Sequence, residues 1–333
     1  MDILIPTTFD RGSILQLLEE LDATRDLDNV TIDFRRLRYS RPTGMLVAGS
    51  KLREWREYRK LCGYKSWWRN IDGSIQAHSY LMHLGFFDFI HIDLGKQVGQ
   101  ARGSVRYLPI TMIKRPTVIV EVDGLDAWYD AIMSVSRGLA AVVAGSADDT
   151  EELRTFAYCI REVIRNVFEH AEVDECFICG QRWANGTVEI AIIDEGVGLA
   201  STLTPSSDLL DDERALHLAI RPGISRTSLN SNAQSNTYDN SGFGLFVLTE
   251  LAASFGWFVL GSGLAQMIGM RQDRNVDHTS FQGTYFGMHF TSAPRDFAGV
   301  LADIIDVGER EAGVSGTSRR ASGMSRFGVL TSC

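Results

Sequence analysis

The sequence predicts an α/β protein in two parts: a βα unit of alternating short strands and helices, followed by an α+β sandwich of strands beneath amphipathic helices. Three observations lead there. The first 60 residues switch repeatedly between period-2 and period-3.6 apolar patterning. In "RTFAYCIREVIRNVFEHAEV", Phe156, Ile160, Ile164, Val167 and Ala171 trace a single apolar stripe along a helix. Beyond it, "TVEIAIID" and "FQGTYFGMHF" alternate as strands on either side of a long polar segment.

The elements follow in order. "DILI" reads as a short strand. Ile14, Leu17, Leu18 and Leu21 then fall at helical spacing, after a cap at Asp10 or Ser13. "NVTIDF" alternates Val30, Ile32 and Phe34 against polar partners, a half-buried strand. Past the turn "SRPTG", Met45, Ala48, Leu52 and Trp55 trace another helix. Such βαβα units build a sheet covered by helices. "SYLMHLGFFDFI" and "RYLPITMI" are expected to complete this first unit over residues 1–120. A helical connector spans 121–148 and closes at the polar break "SADDT". The second unit spans 149–292. Residues 293–333 are expected to form a terminal helix and a disordered tail, "GVSGTSRRASGMSRFGVLTSC", which has little to bury.

Length and composition exclude several classes. With 333 residues, 44% hydrophobic and 23% charged, the chain suits a globular protein with two sizeable cores. A net charge of -9 disfavours general binding to nucleic acid or anionic membrane. "MDILIPTTFD" lacks the basic start of a signal peptide. The greasiest stretch, "FVLTELAASFGWFVLGSGLAQMI", is interrupted by Glu250 and three glycines, so it reads as helix, turn and strand. Five scattered cysteines suit a reducing cytoplasm. Cys176 and Cys179 form one C-x-x-C without a second pair at zinc spacing, and read as buried structural residues.

The candidate chemistry starts on the long helix. Glu162, Asn166 and His170 recur every four residues, forming a polar ridge that drifts about 40° per step. Alone, that is a common solvated face. Next, Asp194 ends a strand at the tight turn "DEGVG", where Gly196 and Gly198 remove side chains and allow a flat group close to the backbone. After a long polar segment, "SGFGLF" opens a helix with Gly242 and Gly244, whose free N–H groups make an anion site in outline. Gly283 and Thr284 stand near the start of the last strand. There is no G-x-x-x-x-G-K-[ST], no third glycine at the dinucleotide offset, no H-E-x-x-H and no G-x-S-x-G.

Taken in order, E-x-x-x-N-x-x-x-H, D-x-G-x-G, a polar loop, G-x-G-L and G-T resemble the motif series of the GHKL superfamily, which uses the Bergerat ATP-binding fold. The resemblance covers about 140 residues and is closest to the anti-sigma serine kinases, whose first motif also ends in histidine. It implies ATP and Mg²⁺ as ligands. By that likeness Asp194 would accept from the adenine amino group, with Gly196, Gly198 and Thr284 around the base. Asn166 would coordinate Mg²⁺, and Gly242, Phe243, Gly244 and Leu245 would hold the phosphates. Glu162 would orient or deprotonate the attacking group. His170 would touch the lid or cap its helix. Within a mobile lid over 200–241, Arg221, Arg226, Thr227 and Ser228 are candidates for the γ-phosphate. Separately, "VTIDFRRLRYSRPTGMLVAGSKL" resembles the STAS domain of anti-sigma-factor antagonists, with Pro42 where that family carries its phosphorylated serine.

These likenesses imply an ATP-driven switch or slow ATPase coupled to a STAS-like unit. The alternative is a serine/threonine protein kinase acting on a separate partner. An unidentified protein partner is expected, with room for a homodimer and no role for nucleic acid or membrane.

Overall fold

A computed structural model describes residues 1–118, 120–204, 210–225, 241–314 and 321. In the N-terminal part, β1 (Asp2–Leu4), β3 (Asn29–Asp33) and β5 (Lys65–Arg69) form a parallel sheet in the order β1-β3-β5. Two short strands, β2 (Thr8–Phe9) and β4 (Tyr39–Ser40), pair separately. Parallel neighbours need long crossovers. Helix α1 (Leu15–Thr24) connects β1 to β3, and α2 (Pro42–Leu61) connects β3 to β5. Arg41 is extended and Pro42 occupies the first turn of α2, a position where its missing N–H costs nothing. Leu17, Leu18, Leu21, Met45, Ala48, Leu52 and Trp55 are all buried, as their spacing predicts. "SYLMHLGFFDFI" supplies α3 (Gln76–Leu84) and α4 (Phe86–Phe89), which pack into the same core.

The remaining described elements are β6 (Tyr107–Lys114), α5 (Val120–Asp123), α6 (Leu125–Ala144), α7 (Glu151–His170), β7 (Glu175–Arg182), β8 (Val188–Asp194), α8 (Gly198–Leu203), α9 (Asp212–Ala219), α10 (Gly244–Phe255), β9 (Gly256–Met270), β10 (Asp273–Phe290) and α11 (Phe297–Val314). The greasiest stretch is a helix running directly into a strand, α10 into β9. Five strands form an antiparallel sheet in the order β6-β7-β8-β10-β9.

One expectation needs correction. The apolar pattern of "RYLPITMI" suits the first unit, but as β6 it pairs antiparallel with β7, Lys114 opposite Glu175 and Leu108 opposite Gly180. An apolar strand is at home in either sheet, and the choice is made by a partner more than 60 residues away.

Both faces of the five-stranded sheet are covered. Ile190 and Ile192 of β8 point to the layer of α6, α7 and α10, whereas Ala191 and Ile193 point to the core shared with the N-terminal part. Side chains alternate along a strand, so consecutive residues serve different cores. Cys176 and Cys179 are buried on opposite faces for the same reason. All seven residues of β8 are consequently buried, Glu189 among them. Its carboxylate accepts from Arg41 Nε at 2.8 Å and from the Thr43 N–H at 3.1 Å. The N-terminal unit thus seats the start of α2 on the back of the sheet. No helix among the described residues is long and apolar enough to cross a membrane.

Candidate functional site

Helix α7 begins with Thr150, whose hydroxyl accepts from the Leu153 N–H at 3.2 Å, with Glu151 and Glu152 in the first turn. A capped, acid-started helix has a well-defined rotational setting once its apolar stripe packs. That setting turns Asn166 and His170 toward a cavity, open to solvent, between α7 and the ends of β8 and β10. Asp194 and Thr284, direct cross-strand partners, line its floor. Gly198, Gly242, Gly244 and Leu245 line it as well. Residues from four separate stretches of sequence therefore meet in one place.

Apart from Thr202 and Ser225, the rest of the lining is apolar. Val163 and Val167 lie one position beyond the ridge residues on α7, and Ile192 and Phe286 lie two residues from Asp194 and Thr284 on the same strand faces. The i+2 rule could have found the latter pair. Ser225 and Ile224 close one side and carried no signal in the sequence.

Asp194 is the electrostatic centre. Its side chain is 3% exposed. The Gly196 N–H donates to Oδ1 at 3.0 Å, and the Thr284 backbone N–H also supports the carboxylate. Burial outweighs these bonds and, with the nearby Glu195 charge, lifts the pKa to about 7. A buried acceptor on an apolar floor suits a flat ligand presenting an N–H donor.

At the other end, α10 starts at Gly244 with no side-chain cap among the described residues, and Gly244 and Leu245 in its first turn line the cavity. Twelve residues of aligned peptide dipoles lie behind them. Gly242 has φ +76°, and a Cβ there would stand 2.6 Å from the Ile224 oxygen. Only glycine makes this entry without strain.

Besides Arg221, three expected site residues do not line the cavity. Phe243 caps α10 from the core and is fully buried. Gly196 faces α7, where a Cβ would come within 2.1 Å of the Ala171 oxygen. Its lack of a side chain makes room for the protein's own backbone, a correction to the idea that it clears space for a ligand. Gly198 does line the cavity, yet its φ of +77° and the Ser262 hydroxyl 2.9 Å from its Cβ position already demand glycine. The third is Glu162, which is 2% exposed. Its Oε1 accepts from Arg161 Nε at 2.9 Å and Nη2 at 2.6 Å, with Arg165 Nη1 at 3.6 Å. Its Oε2 lies beneath Gly244, so close that a Cβ there would clash. The carboxylate thus abuts the start of α10 from below.

Arg226, Thr227 and Ser228 lie outside the described residues, as does much of the expected lid. The described parts of 200–241 include ordered helix: α9 is fastened to β9 through Asp212 Oδ2, which accepts from the Leu264 N–H at 2.8 Å. Arg221 is exposed and is not part of the lining. No group of three or more metal-ligating His, Cys, Asp or Glu side chains occurs among the described residues. The chain matches no family model, and no curated protein or solved structure matches it either.

Proposed function

We propose that this protein binds ATP with Mg²⁺ in the cavity beside α7 and acts as an ATP-driven switch or slow ATPase of the GHKL type, with a STAS-like unit docked on its sheet. One observation carries the reading: Asn166, Asp194, Gly242, Gly244 and Thr284, from four motifs up to 118 positions apart in the sequence, line a single cavity. Its polarity is ordered to suit a nucleotide, with a buried acceptor at one end and an uncapped helix start at the other.

The donor set fits the metal. Mg²⁺ keeps several waters and takes phosphate oxygens, so one protein oxygen, that of Asn166, suffices. When bound, the ion would neutralise phosphate charge. Asp194 would read the adenine amino group and reject guanine, whose O6 faces it with lone pairs. Glu162 would handle the attacking water from beneath Gly244. Its Oε1 holds two N–H donors of Arg161, which fixes the carboxylate and leaves Oε2 facing the start of α10. An unidentified protein partner would read the nucleotide state.

The test is nucleotide-dependent thermal stabilisation. Millimolar ATP with Mg²⁺ should raise the melting temperature, GTP should not, and removal of Mg²⁺ with chelator should weaken the ATP effect. No shift with any adenine nucleotide overturns the reading.

A further inference from the structure

The geometry points to Arg53 and Ser50, on the N-terminal unit's α2, as positioning residues for the turn that follows Asp194. The inference rests on the nucleotide reading above and deepens it, since the residues come from the other unit. Glu195, the neighbour of Asp194, does not reach into the cavity. It turns the opposite way, where the Ser50 hydroxyl donates to Oε1 at 2.7 Å and Arg53 Nη2 pairs with Oε2.

The turn is gripped from three sides. The Val197 N–H donates to the Ala171 oxygen at 3.1 Å at the end of α7. Gly283 of β10 lies against the Asp194 oxygen, where a Cβ would stand 2.2 Å away. Glu195 provides the third grip. The arginine that holds it is itself immobilised: its guanidinium lies over the rings of Phe89 and Phe177, 4.9 and 4.8 Å from their centroids. Phe89 in turn packs onto Gly49, where a Cβ would meet its ring at 2.9 Å. A planar cation packed on two rings is a fixed anchor.

Holding this turn matters because Asp194 and the Gly196 N–H that supports it are its first residues. Displacing a positioned group by about 1 Å costs on the order of a hundredfold in a function that depends on its geometry. A partly exposed ion pair adds little to stability by itself, so positioning and mere packing can be separated. Another cross-unit ion pair, Arg41 with Glu189, supplies the control. It sits five residues before Asp194 on the same strand, roughly 17 Å away.

The experiment compares Arg53→Ala, Arg53→Lys, Ser50→Ala and Arg41→Ala in the full chain. It measures ATP and inorganic tripolyphosphate binding with Mg²⁺, together with amide exchange over residues 195–198 in the nucleotide-free protein. Positioning predicts that Arg53→Ala weakens ATP about tenfold, leaves tripolyphosphate unchanged and speeds exchange in the turn. Ser50→Ala should show a smaller effect of the same kind, Arg53→Lys a partial rescue, and Arg41→Ala none of these. Equal losses in Arg53→Ala and Arg41→Ala, or an Arg53→Ala protein with unchanged ATP affinity, overturn the role. Failure of the unmodified protein to bind ATP overturns the nucleotide reading first and this role with it.

Discussion

At the scale of single residues, the proposed nucleotide site sets stability and binding against each other at Asp194. Burial raises its pKa from 3.8 to about 7, so the folded state prefers the protonated form. The stability this contributes is fully present below pH 3.8 and is lost as pH rises through 7, a swing on the order of a few kcal/mol. Asp194→Asn should therefore raise the melting temperature of the nucleotide-free protein at pH 8. An adenine amino group donates to the ionised form, so ATP affinity should fall as pH drops from 8 to 6, by up to about tenfold per unit below 7. In the Asp194→Asn variant that dependence should vanish, with ATP binding at pH 8 about ten- to a hundredfold weaker, the loss of one charge-assisted bond. Calorimetric titration across pH decides it, and a flat profile in the unmodified protein would count against Asp194 as the reader of the base. Glu162→Ala separates binding from turnover. ATP should still stabilise this variant, while phosphate release drops by about 10² or more. Turnover at the unmodified rate by ATP-stabilised Glu162→Ala protein would falsify the role given to Glu162.

At the scale of elements, α2 is the clearest case of tertiary context changing what a motif means. Its turn Pro42-Thr43-Gly44 is buried, with Thr43 1% exposed and packed on Gly287. The Thr43 N–H donates to the buried Glu189 carboxylate. A phosphate or carboxylate at Thr43 would be desolvated and placed beside a like charge. Thr43→Glu should cost on the order of 3–5 kcal/mol, read as a lower denaturant midpoint, while Thr43→Ser should cost far less. Mass spectrometry of protein from cells should find no stoichiometric phosphate on Thr43. The same logic governs β10, where Gly287 must stay small for α2 to seat.

At the scale of the whole molecule, the N-terminal unit and the five-stranded sheet share one core. Phe177, Ala191, Ile193, Trp257, Val259 and Tyr285 from the sheet cluster with Phe9, Met45, Ala48 and Trp55. Removing the N-terminal unit would bare these six sheet residues; fully exposing a large apolar side chain costs about 1.5–3 kcal/mol. A chain beginning after residue 100 should be insoluble. The full chain should unfold in one transition, with tryptophan fluorescence and far-ultraviolet circular dichroism coinciding. Two resolved transitions would show that the units are energetically independent, and coupling of nucleotide to the N-terminal unit would lose its physical basis.

What the sequence by itself determined is everything set by short spacings. Steps of four place Asn166 and His170 on one face of α7, alternation puts Asp194 at the end of β8, and the G-x-G marks the start of α10. Eight of the twelve described candidates, Asn166, His170, Asp194, Gly198, Gly242, Gly244, Leu245 and Thr284, line the cavity. The four-residue step of Asn166 and His170 is local periodicity; the others are read from the likeness of their motifs, in order, to the GHKL series. Only the tertiary structure decided the rest. The strand β6 belongs to the larger sheet because β7 offers it an edge. Gly196 is glycine because Ala171 crowds it, and Glu162 sits beneath the α10 start because Arg161 and Arg165 hold it there. Glu189 is a buried charge because Arg41 arrives from 148 positions earlier in the sequence. These outcomes depend on which surfaces meet after the chain has closed long loops, and a pairing of that kind leaves no period in the sequence to read.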